Sequence, residues 1–122
     1  MPRKRPEDQP PESLEDRWLL EAQTMRNLEA FEAEQQGRLA EAIALYERNV
    51  AEGFPGDLPY GRLVALYERQ AAFDDAARVL RRAIEVFQAS TRRTPQDRRA
   101  TVRVFQRRLQ LLEKRRGSDR SA

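Results

Sequence analysis

Residues 34–50 read EQQGRLAEAIALYERNV, and residues 68–84 read ERQAAFDDAARVLRRAI. The second stretch is the first shifted by 34 positions. Glu34 falls on Glu68, Gln36 on Gln70, Gly37 on Ala71 and Leu39 on Phe73. Further along, Glu41 falls on Asp75, Ala42 on Ala76, Tyr46 on Leu80, Arg48 on Arg82 and Val50 on Ile84. Small stays small, bulky stays bulky, and acidic stays acidic. A fixed period in this range marks stacked helical hairpins, each unable to bury its apolar face alone. Ala42 and Ala76 let a neighbouring helix approach closely. Tyr46 and Leu80, one turn on and on the same face, fit the groove beside them.

Outside the repeat core, glycines, prolines and caps divide the chain. Residues 13–36 contain neither Gly nor Pro, which predicts one long helix. Ser13 and Asp16 have the spacing of a capping box at its start. Gly37 opens a tight turn, because it takes a positive φ without penalty. A second helix is expected from about Leu39 to Glu52, with Gly53 as its stop. The loop GFPGDLP, residues 53–59, leads through Asp57 and Pro59 into a third helix ending near Gln70. Residues 71–73 form the next tight turn, and a fourth helix follows from about Asp74 to Ala89. Thr94, Pro95 and Asp97 mark the start of a fifth, expected to run to Arg116 and to end at Gly117. Residues 1–12, with four prolines, and residues 117–122 are expected to be disordered tails.

Two stripes stand out. Leu14, Trp18, Ala22, Met25 and Leu28 recur at helical spacing and read as core covering one end of the stack. An exposed partner anchor is the alternative for Trp18. In the fifth helix, Val102, Phe105, Leu109 and Leu112 form a stripe expected to bury against the fourth.

Composition narrows the function. The chain has no Cys and no His. It therefore lacks thiolate metal sites, disulfides and the commonest general base. There is no phosphate-binding glycine loop. Glu41, Glu47, Asp74 and Asp75 stand where exposed helix charges normally stand. No run approaches the roughly 18–20 apolar residues of a membrane span. The expectation is a soluble, cytoplasmic non-enzyme without catalytic residues, cofactor or metal. The net charge of +3 is unevenly placed. Residues 1–36 carry −4, residues 37–90 carry −1 and residues 91–122 carry +8.

The period and its residues resemble the tetratricopeptide repeat, a 34-residue pair of antiparallel helices. In the second repeat Tyr60, Leu63 and Tyr67, then Ala71, Ala76, Leu80 and Ala83, stand at the family's bulky and small positions. In the first, Gly37, Ala42 and Tyr46 fit. Arg26, Glu29 and Ala33 depart, because the family prefers large apolar residues there. Val64 and Asn49 replace small residues. The resemblance covers residues 23–90 as two repeats, approximately 23–56 and 57–90. It implies an all-α, right-handed stack of antiparallel hairpins within a domain of residues 13–116, with residues 95–116 as a capping helix. A generic helical bundle is the alternative.

The resemblance also implies a function: a scaffold holding a protein or peptide on its concave face. The residues it carries there are Asn27, Phe31 and Glu34 from the first repeat and Arg62 and Arg69 from the second. An apolar group would meet Phe31, and an acidic group Arg62 or Arg69. The family's carboxylate clamp needs a lysine that this chain does not supply there. End-to-end pairing of two chains, a homodimer, is a further option. An independent candidate is the fifth helix, where Arg99, Arg103, Arg107 and Lys114 form a basic ridge flanked by Val104 and Leu111. This ridge suits nucleic-acid phosphates, an anionic membrane surface or an acidic partner, and a solvated face is its plainest reading.

Overall fold

Two turns with the same backbone set the 34-residue period. Gly37 and Ala71 both take positive φ, 77° and 57°. Before each turn a glutamine ends its helix at φ −90°, Gln36 in one case and Gln70 in the other. After each, the Arg38 N–H bonds the Ala33 carbonyl and the Ala72 N–H bonds the Tyr67 carbonyl, both at 2.8 Å. Ala71 accepts a left-handed conformation that costs a non-glycine residue about 1–2 kcal/mol. The surrounding hairpin holds it there.

A computed structural model describes residues 13–121, with side chains to Ser118. Five helices follow one another: α1 Leu14–Gln35, α2 Leu39–Ala51, α3 Leu58–Arg69, α4 Phe73–Gln88 and α5 Pro95–Ser121. The described residues contain no strand. The fold is all-α. Each helix packs on the next in sequence, with a minor contact between α2 and α4. The result is a stack of helical hairpins with α1 and α5 at opposite ends.

The ends of the helices follow local chemistry. Ser13 Oγ accepts the Asp16 N–H at 3.0 Å, and Thr94 Oγ1 accepts the Asp97 N–H at 3.1 Å. Asp57 precedes α3 without capping it by its side chain. Gly53, at φ 71°, stops α2 as expected. Arg82 of α4 then donates to two carbonyls of that helix end, Val50 at 3.2 Å and Ala51 at 3.1 Å.

The end of α5 differs from expectation. It continues through Gly117 to Ser121 rather than stopping at Arg116. Gly117 has no positive φ, so it sits in the helix at a cost of about 1 kcal/mol relative to alanine. Residues 1–12 and Ala122, also expected to be disordered, lie outside the described residues.

The core runs along the stack and is richest at the α3–α4–α5 junction. Tyr46, Tyr60, Leu63, Val64, Leu80 and Phe87 are fully buried. Phe87 lies edge-on to Tyr60 and stacked on Phe105, with centroids 5.5 Å away in both cases. The Arg93 guanidinium covers the Phe87 ring at 4.8 Å. Val102, Phe105 and Leu112 are buried and Leu109 is partly buried, so the α5 stripe packs as its periodicity predicts.

Candidate functional site

The α1 helix is turned the opposite way from its apolar stripe. Leu14, Trp18, Met25 and Leu28 are 57–62% exposed, and Ala22 is exposed with them. The expectation that this stripe is core is therefore corrected. What α1 buries instead is Gln23, Asn27, Ala30 and Ala33. On a helical projection Gln23, Asn27 and Ala30 lie on the side away from Leu14, Trp18, Met25 and Leu28, with Ala33 at its edge.

The reason lies on α2. Asn49 is fully buried there and requires polar partners. Its Nδ2 donates to the Gln23 carbonyl at 2.8 Å and to Asn27 Oδ1 at 2.6 Å. Arg26 Nη1 donates to Asn49 Oδ1 at 2.5 Å and to Glu52 Oε1 at 2.9 Å. Gln23 Nε2 also donates to Glu52, at 3.2 Å. Burial alone would raise the Glu52 carboxyl, but hydrogen bonds from Arg26, Gln23 and Arg48 outweigh it and leave it below the usual carboxylate range. Ala30 and Ala33 let the helices close around this network. The two residues that most depart from the repeat pattern, Arg26 and Asn49, thus satisfy each other. Reading them as a pair across the hairpin was the signal that could have oriented α1.

The five residues expected on the concave face separate into two groups. Asn27 is buried in the network above. Glu34 is a structural tie: it accepts from the Tyr46 hydroxyl at 3.1 Å and from Arg62 Nε at 3.2 Å, and it forms an ion pair with Arg62. With its side chain only 5% exposed, Glu34 links α1 to both α2 and α3. Phe31, Arg62 and Arg69 do reach the surface. Arg62 arrives there already paired with Glu34. Phe31 stands beside the outward α1 stripe and enlarges its apolar surface.

At the far end of the stack, Arg99, Arg103, Arg107 and Lys114 are all exposed. Among the described residues none of the four has an ion-pair partner. Their neighbours differ: Arg115 pairs with Glu68 at 3.6 Å, and Arg116 pairs with Asp74. Val104 and Leu111 lie exposed beside the ridge. A groove of about 360 Å³ between α4 and α5 is lined by Arg98, Arg99, Arg103, Gln88 and Gln106. Arg98 Nε is buried and has no hydrogen-bond partner among the described residues.

The titratable phenols serve packing. Burial pushes Tyr60 up to about 12, and burial together with the Glu47 carboxylate does the same to Tyr67. Among the described residues no group of three or more acidic side chains is placed to hold a metal ion. No described helix is long and apolar enough to cross a membrane.

Comparison with family models, curated proteins and solved structures finds no match to this chain.

Proposed function

We propose that this chain is a non-enzymatic, cytoplasmic scaffold of tetratricopeptide-like build that holds a protein partner on the outer face of α1. The observation that carries this reading is the exposed row of Leu14, Trp18, Met25 and Leu28 on a helix that turns Gln23, Asn27 and two alanines inward instead. Contiguous exposed apolar surface on a folded chain favours a protein contact. Tryptophan supplies an anchor at low entropy cost and is enriched among the residues that dominate binding energy. Phe31, one turn beyond Leu28, extends the row's apolar surface.

The test uses the tagged full chain recovered from its own cells, with a nuclease-treated sample in parallel. Trp18→Glu with Met25→Glu is the variant to compare. Both positions are exposed, so helicity stays unchanged. A partner that survives nuclease should lose at least roughly 30-fold in recovery or affinity with the variant, the effect of one lost anchor. Undiminished binding by the double variant contradicts the α1 assignment. Arg62→Glu is the poorer probe, because it would also break the tie to Glu34.

A second reading rests on the four unpaired cations of α5 and the arginine-lined groove beside them. It is phosphate contact with a nucleic acid. No exposed aromatic ring accompanies the ridge, since Phe105 is buried, which weighs against base stacking. Affinity under this reading falls steeply with salt and is removed by Arg103→Glu with Arg107→Glu. Absence of binding at low salt ends it.

A further inference from the structure

We infer that the partner of the α1 face is the α5 face of a second copy of this chain, so that copies stack head to tail. This rests on the reading of α1 as a partner surface and names what occupies it.

The first observation is placement. α1 and α5 stand at opposite ends of the stack and do not pack on each other. One chain therefore cannot cover its own α1 face with its own α5 face. Two copies can, and each would keep one of the two faces open.

Shape is the second. From Leu14 to Leu28 the α1 row extends about 21 Å at 1.5 Å per residue. From Arg99 to Lys114 the α5 ridge extends about 22 Å on the same measure. Each is a helix surface of matching length. Met25 and Leu28 interrupt the acidic residues of α1, and Val104 and Leu111 interrupt the basic residues of α5.

Charge decides between pairings. The exposed side chains of α1 around the row include Glu15, Glu21, Glu29 and Glu32, against Arg17 alone. Opposed to them, the α5 face offers Arg99, Arg103, Arg107 and Lys114, which have no ion-pair partner among the described residues. Pairing α1 with α1, or α5 with α5, sets like charges face to face. Only α1 against α5 sets opposite signs together around apolar contacts, and complementarity of this kind fixes partner and register. An interface between two different patches is heterologous. It propagates into rings or open chains rather than closing at a dimer.

The experiment is sedimentation of the full chain and two variants, alone and mixed. Trp18→Arg disables the α1 face by removing its ring and setting a cation against the basic ridge, and Arg103→Glu with Arg107→Glu disables the α5 face. All three positions are exposed and outside every ion pair described, so circular dichroism should show unchanged helicity. The unaltered chain is expected to grow beyond dimer as concentration rises, and to shrink as salt screens the charges. Each variant alone should remain a monomer. Their equimolar mixture should form a one-to-one dimer and nothing larger, because one variant contributes its intact α5 face and the other its intact α1 face.

A mixture that stays monomeric overturns the inference. So does dimerisation of the Arg103→Glu, Arg107→Glu variant by itself, which would mean α1 pairs with α1. If the unaltered chain is monomeric at every concentration while Trp18→Arg releases a different protein, self-stacking fails and the α1 surface reading stands. If the chain assembles but Trp18→Arg leaves assembly intact, the α1 reading itself fails.

Discussion

Replacing Phe87 with alanine lowers stability by about 3–5 kcal/mol, the range for removing a buried aromatic side chain. That is a large part of the roughly 5–15 kcal/mol available to a domain of this size. Phe87 is fully buried at the end of α4. It holds Tyr60 of α3 edge-on and Phe105 of α5 face to face, and Arg93 covers it from the connecting loop. Removing the ring therefore detaches three elements from one another. The α5 helix should suffer first, because its buried contacts concentrate on Val102, Phe105 and Leu112. Urea melts followed by circular dichroism measure the loss, and hydrogen exchange locates it in the α5 amides. A loss under about 1 kcal/mol, well below the range for a buried ring, would show that the aromatic cluster does not join α5 to the stack.

Asn49→Ala is the second large effect. The substitution removes a side chain that donates twice and accepts once inside the α1–α2 junction. Asn27 is left buried with an unpaired oxygen, and Arg26 keeps only Glu52. Stranding a buried polar group costs about 1–3 kcal/mol, more when a charged donor is involved, so a total of about 2–4 kcal/mol is expected. Asn27→Ala alone should cost less. The two together should cost less than their sum, because the second removal no longer strands a partner. A denaturant-melt cycle over the four chains reads this coupling directly. Additive losses would mean that the two amides do not depend on each other.

Much of this architecture is written in local chemistry and was legible for that reason. Gly37 and Ala71 mark turns that depend on a few consecutive residues, and the 34-residue shift exposes both. Ser13, Gly53 and Thr94 act on backbone groups within three or four positions. The α5 stripe is legible because Val102, Phe105 and Leu112 follow the ordinary rule of apolar residues facing inward.

The orientation of α1 was not legible in this way. Periodicity finds a stripe but does not say which side it faces. Here Asn49, 26 and 22 residues from its bonded partners Gln23 and Asn27, draws the polar side inward. The Glu34–Arg62 tie spans 28 residues and joins two hairpins. Composition at either position reads simply as surface charge. Asn27, through Asn49, and Glu34, through Arg62 and Tyr46, thus hold the stack together, while Phe31, Arg62 and Arg69 reach solvent. Gly117 misled in the other direction, since a glycine stops a helix only where it takes the left-handed turn that Gly37 and Gly53 take.

The scaffold reading and the head-to-tail stacking both depend on α1 presenting its apolar row to solvent. Trp18 is the only tryptophan, so its fluorescence reports on that row alone. The measurement is emission and quenching by a neutral, water-soluble quencher in the dilute, folded full chain. With Trp18 62% exposed, emission should be red-shifted and quenching close to that of free indole, while circular dichroism shows an intact helical fold. A blue-shifted, protected tryptophan in the dilute monomer would contradict this. It would mean that Trp18 lies inside the stack and that α1 faces the other way.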